Sequence, residues 1–312
     1  MSPSTENSSH RAPPPLFDPR FWGSWLLIGL FRTSAWLPLR IQSMLGKQIG
    51  RVLARCARKA RHVASVNLTL CFPDRNPEGQ NQLLSQSFES IGIAMLETNL
   101  GWWASDRRLP PCNIVGLEHI RQGLDQGRGV ILCAAHFVTW ELVGRYINSY
   151  FPGDVVFRPQ KHPVIEWVSN RCRSRHYRRL IRSDDFRGMV RSLKDNRLLW
   201  LTVDIDPGRR RKGVFVPFFG VPAYTTTALA RLARLTGSRV VPAVPSRRED
   251  GSGYDLFLGP PIEGFPSDDM IHDTARVNQF IEEAVRHRPD QYLWQYKRFK
   301  TRPSGESRVY RK

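Results

Sequence analysis

Apolar residues recur at helical spacing from residue 79 to 104, where Leu83, Leu84, Phe88, Ile91, Ala94, Met95 and Leu96 predict a long helix ending at Trp102-Trp103. Beyond it the pattern changes to short, unbroken apolar runs. Gly129 to Ala135 reads as a central strand, because a parallel strand covered by helices on both faces loses the alternation of apolar and polar positions. Leu198 to Val203 and Val240 to Val244 predict two more strong strands, and 155–157, 214–218 and 254–258 shorter extended pieces. Helical spacing returns between them: a short strand or turn and then a helix over 115–126, and helices over 163–175, 186–194, 225–235 (closed by Gly237) and 273–286. Strands alternating with helices predict an α/β sandwich. Such folds place ligands at the C-terminal ends of their strands, which is where His136 and Asp204 both stand.

The N-terminal part is patterned differently. Residues 1–19 are polar and rich in Pro and Ser, and are expected to be disordered. Within residues 20–40, the stretch from Phe21 to Leu39 holds a single charge, Arg32, and carries Trp22, Trp25 and Trp36. About 20 apolar residues span a bilayer, so this stretch is expected to be an uncleaved anchor, either crossing the membrane or lying in its interface. Seven basic residues and no acidic one fall between Arg40 and Arg61, with Leu45, Ile49, Val52, Leu53 and Cys56 between them. Residues 41–62 thus predict a basic amphipathic helix seated on anionic headgroups. The positive-inside rule then puts the large C-terminal part in the cytoplasm.

The net charge of +19, from 47 Lys+Arg against 28 Asp+Glu, demands an acidic partner. Nucleic acid would need aromatic residues interleaved on a basic face, whereas the aromatics cluster in the anchor, at Trp102-Trp103 and at Phe215–Phe219. Anionic lipid or an acidic protein fits better, and no nucleic-acid partner is expected. Five cysteines without a CxxC pair indicate a reducing compartment. No HExxH spacing is present, and neither a metal nor a cofactor is expected.

The candidate chemistry centres on His136, with Glu141 five residues later. If His136 lies in the loop after the strand and Glu141 in the first turn of the next helix, the carboxylate can steady the imidazole while its other nitrogen takes a proton from a hydroxyl. Cys133 is expected to point away. Arg158, and six arginines between 171 and 182 including Arg173, could bind phosphate or carboxylate, though solvated or lipid-facing charge would read the same way. Asp204 and Asp206, beyond a strand end, could hold a metal, pair with these arginines or touch substrate. A basic loop follows at Arg209–Lys212, then a possible apolar wall at Phe215–Gly220.

Taken in order, these segments resemble the late acyltransferases of lipid A biosynthesis, the lauroyl and myristoyl transferases of Gram-negative inner membranes. The resemblance covers about residues 20 to 305. It rests on Asn67-Leu68 with Cys71-Phe72-Pro73, Phe88-Glu89-Ser90, Glu97-Thr98, the run from His136 to Glu141, Arg158-Pro159 and Arg171–Arg173. It continues through Asp204-Ile205-Asp206, Phe215–Gly220, Gln291-Tyr292-Leu293-Trp294 and Arg298–Pro303. The lauroyl-type branch is the nearer.

The resemblance implies a glycerolipid-acyltransferase-like αβα sandwich with a mostly parallel sheet, occupying 41–305 behind the anchor and followed by a basic tail, 306–312. It implies transfer of a fatty acyl group from acyl carrier protein to the 3-hydroxyl of an acyl chain on a tetra-acylated lipid A precursor bearing two acidic octulosonate sugars. His136 and Glu141 map onto the family's His-x4-acid motif, Arg173 onto its arginine, and Asp204 or Asp206 onto its aspartate. The expected partners are acyl carrier protein, the lipid A precursor and anionic inner-membrane lipids, with the catalytic domain on the cytoplasmic face. A lysophospholipid or glycerol-phosphate acyltransferase, with a smaller acceptor, is the alternative.

Overall fold

The computed structural model describes residues 18–310, so the polar segment expected to be disordered lies outside the described residues except for its last two positions. Four helices come first: α1 (Trp22–Ser34), α2 (Leu39–Cys56), α3 (Arg58–Cys71) and α4 (Pro77–Trp103). The alternating part follows as β1 (Cys112–Val115), α5 (Leu117–Asp125), β2 (Val130–Ala134), α6 (Trp140–Tyr150), β3 (Asp154–Phe157), α7 (Pro163–Arg173), β4 (Arg179–Arg182), α8 (Phe186–Lys194) and β5 (Leu198–Thr202). A hairpin of β6 (Gly213–Phe218) and β7 (Val221–Thr226) precedes α9 (Ala228–Thr236), β8 (Arg239–Arg247), β9 (Tyr254–Leu258) and α10 (Met270–His287).

The main sheet has the order β1-β9-β8-β2-β5-β3-β4. It is mostly parallel, the exception being β8 against β9. In β2 alternate residues face opposite layers. Ile131 and Cys133 join the core built with α3, α4, α8, α9 and α10. Val130, Leu132 and Ala134 join the one that includes Ile120 of α5 and Val143 and Ile147 of α6. All five residues of β2 are buried, which is why the strand reads as an uninterrupted apolar run.

The anchor expectation changes most. No helix among the described residues is long and apolar enough to cross a membrane. The 13 residues of α1 reach about 20 Å, short of the about 30 Å of a hydrocarbon core. Instead α1 turns outward Trp22 (61% exposed), Leu26 (66%) and Leu30 (60%), spaced by four on one face. The basic helix α2 is likewise apolar on the outside, with Ile41, Met44, Leu45 and Val52 exposed. Its inward side is Gln42, Gly46 and Gly50. A Cβ on Gly50 would meet the Phe88 carbonyl oxygen at 2.2 Å, and one on Gly92 of α4 would meet the Gly46 carbonyl oxygen at 2.0 Å. The two backbones therefore touch along a glycine seam, while Ile41, Met44, Leu45 and Val52 face away from it.

Candidate active site

The parallel register of β2 and β5 sets Ala134 opposite Thr202. Two residues further along each chain stand His136 and Asp204, carried past the sheet side by side. The Asp204 carboxylate accepts from the His136 backbone N–H at 3.0 Å and contacts the ring Nδ1 at 2.6 Å. This commits the Nδ1 proton to the carboxylate and leaves Nε2 with its lone pair, its one polar contact among the described residues being the Thr202 hydroxyl at 3.4 Å. The ring stays 18% exposed while Asp204 is 2% exposed. Burial pushes the Asp204 carboxyl up, but the charge of His136 and hydrogen bonds from His136 and Tyr292 outweigh it and hold the group below the usual carboxylate range. The Tyr296 ring stands edge-on to the imidazole at 5.3 Å.

The loop carrying His136 is clamped from the far end of the chain. The Val138 N–H donates to the Gln291 carbonyl at 2.9 Å, and the Leu293 N–H donates to the His136 carbonyl at 3.0 Å. Gln291 is itself fixed, since its side chain accepts from the Arg247 N–H at 2.8 Å and donates to the Arg247 carbonyl at 2.9 Å. The Arg247 guanidinium is buried in a pair with Glu97, whose carboxylate also accepts from the Tyr254 hydroxyl. Sequence reasoning gave Gln291, Arg247 and Glu97 no role, because their partners lie 44 to 157 residues away.

Glu141 does not orient His136. It sits in the first turn of α6, but among the described residues its carboxylate is bonded to Arg173 and to the Trp102 indole N–H at 3.2 Å. The Arg173 Nε donates to Glu141 at 3.0 Å, its Nη2 also contacts the carboxylate, and its guanidinium lies 5.0 Å from the centre of the Trp140 ring. A buried guanidinium must be paired, so Arg173 claims the acid that spacing alone offered to the histidine. For the same reason Arg173, only 7% exposed, is not presented to a substrate phosphate. Asp206 is corrected as well: it is buried and accepts from the Gly208 N–H, the Thr301 N–H and the Thr301 hydroxyl, so it builds a loop and meets no substrate. Arg158 is exposed at the end of β3, which pairs with β5, and so shares the rim with His136.

Burial holds the Cys133 thiol up to about 12, and its side chain packs in the core on the α3–α4 side. It therefore offers no thiolate beside His136. Phe218, in the expected apolar wall, is fully buried in the same core.

A carboxylate-paired imidazole at the rim of such a sheet is compatible with acyl transfer, and the chain is an acyltransferase. It belongs to the bacterial lipid A biosynthesis acyltransferases: residues 13–301 match that family. The chain is 37% identical over 292 residues to the lipid A biosynthesis lauroyltransferase of Escherichia coli (strain K12), covering 93% of this chain and 95% of that one. It is 35% identical over 294 residues to the palmitoleoyltransferase of the same organism, covering 94% and 95%. The crystal structure of a 1-acyl-sn-glycerophosphate acyltransferase from Thermotoga maritima is more distantly similar, with a TM-score of 0.39 and 14% identity over 80% of this chain and 97% of that one.

Proposed function

We propose that the protein transfers a fatty acyl group, lauroyl in the first instance, from acyl carrier protein to the 3-hydroxyl of an acyl chain on the tetra-acylated, octulosonate-bearing lipid A precursor. His136 is the general base and Asp204 its orienting carboxylate. The His136 Nε2 takes the hydroxyl proton as the oxygen attacks the thioester carbonyl; collapse of the tetrahedral intermediate breaks the C–S bond, and the departing thiolate recovers the proton from the imidazolium. Asp204 stabilises that imidazolium. Arg158 is placed to meet an anionic group of the acceptor or the developing oxyanion. The observation carrying this reading is the 2.6 Å His136–Asp204 contact at an open rim, with Nε2 left to work.

The test supplies purified protein with lauroyl-acyl carrier protein and the precursor, and reads the product by mass spectrometry. A single added lauroyl mass is expected. His136→Ala should lower turnover at least about a hundredfold with an unchanged melting transition, and near-normal turnover by that variant would overturn the assignment.

We further infer that α1 and α2 lie in the headgroup region of the inner membrane on its cytoplasmic side. The exposed apolar residues of both helices, beside Arg40, Lys47, Arg51 and Arg55, support this. Replacing Trp22, Leu26 and Leu30 together by Gln removes three insertable side chains worth about 1.5–3 kcal/mol each. Partitioning onto vesicles containing phosphatidylglycerol should fall by about a hundredfold or more in a sedimentation assay. Undiminished partitioning would place the contact elsewhere.

A further inference from the structure

With Arg173 and Asp206 withdrawn from substrate contact, the rim keeps one basic feature that the chemistry above does not use. The loop after β5 and the C-terminal segment border an open recess of about 610 Å³. Arg209, Lys297, Lys300, Arg302 and Arg308 line it, with Glu306 as the sole lining acid. Glu306 is taken by Arg302. Among the described residues no carboxylate pairs with Arg209, Lys297, Lys300 or Arg308, so four cations converge on one hollow without a counter-charge.

The recess is built, and it is tied to the catalytic pair. Asp206, two residues after Asp204, bonds Gly208 on one wall and Thr301 on the other. The Arg209 guanidinium bridges the same walls by donating to the Arg302 carbonyl at 2.7 Å. Gly208 has φ +74°, so glycine allows the turn, and the Lys300 ammonium lies beside it. Lys297 follows Tyr296, the ring that abuts His136. Chain geometry keeps Asp206 within about 7 Å of Asp204, Cα to Cα, so one wall of the recess grows from the same strand end that carries Asp204.

We propose that this recess binds the anionic headgroup of the acceptor lipid, taking phosphate or carboxylate carried on a sugar and so aiming the attached hydroxyacyl chain at His136. The proposal rests on the acceptor class given above. A concave volume within the usual range of about 300–1,000 Å³ suits a sugar-sized ligand, whereas a protein partner would need a broad face of about 800 Å². Converging, unpaired Lys and Arg side chains are what such oxygen anions select.

The experiment compares wild type with Lys297→Gln/Lys300→Gln and with Arg308→Gln, varying acceptor and acyl donor separately. The double variant should raise the acceptor KM about tenfold or more, and Arg308→Gln severalfold, with the donor KM unmoved and melting transitions retained. Repeating the comparison on acceptor lacking its phosphates, and on acceptor lacking its acidic sugars, identifies the anion: the difference between variant and wild type collapses when the recognised group is gone. An unchanged acceptor KM, or a rise in the donor KM instead, overturns the assignment and in the second case gives the recess to the carrier protein. Wild-type protein that acylates no such lipid overturns the functional reading; active wild type with unaffected variants overturns this assignment alone.

Discussion

Asp204→Asn is expected to lower kcat by about three to four orders of magnitude, the scale on which an amide in place of an orienting carboxylate disables a histidine base. The amide can still meet the His136 backbone N–H, so the loop should hold. What it loses is the acceptor that commits the Nδ1 proton and the charge that stabilises the imidazolium. The KM for either substrate should change little, because Asp204 is buried behind the ring. There is a matching effect on stability. The folded carboxyl titrates below its usual value of about 3.9, so its contribution is present in full at neutral pH and is lost as pH falls below that value through the folded one. Asp204→Asn should therefore flatten the acid limb of the stability curve. Turnover within tenfold of wild type would remove Asp204 from the mechanism.

Glu141→Ala should cost about 3–5 kcal/mol of stability, because it strands the Arg173 guanidinium without its counter-ion in a site from which water is shut out. Denaturant unfolding would read this as a lowered midpoint at unchanged slope. The paired change Glu141→Leu with Arg173→Met removes both charges and should recover most of the loss. Measured on the folded fraction alone, Glu141→Gln should lose less turnover than Asp204→Asn, since Glu141 holds α6 to α7 and to Trp102 and is not bonded to the imidazole. A Glu141→Gln protein as stable as wild type but more than a hundredfold slower would return Glu141 to the chemistry.

These two carboxylates show where the sequence was legible and where it was not. The strands β2, β5 and the first half of β8 were readable because buried parallel strands carry unbroken apolar runs, β9 because its burial alternates, and α8 because its apolar face is so regular. The short edge strand β4 was hidden, since Arg179 and Arg182 at its ends read as charge. The end of the hairpin was hidden too: Thr225 and Thr226 belong to β7, and the Thr226 hydroxyl then accepts from the Ala228 N–H as α9 starts. At the site, proximity along the chain favoured Glu141, and nothing local revealed that Arg173 would claim it. Yet the correct pairing left a trace: His136 and Asp204 each follow a strong strand at the same offset, and parallel pairing turns equal offsets into adjacency. Gln291 left no such trace, because its role depends on a contact with Arg247 that no periodicity encodes.

The crossing of α2 over α4 has a further bearing on how the enzyme rides. Where backbone meets backbone there is no room for a side chain, so the two helices approach more closely than any other residue at these positions would allow. On the membrane seating proposed above, the greasy flank of α2 would then be joined to α4 through bare backbone at Gly46, Gly50 and Gly92, and a side chain at any of the three would force the outward helix off its support.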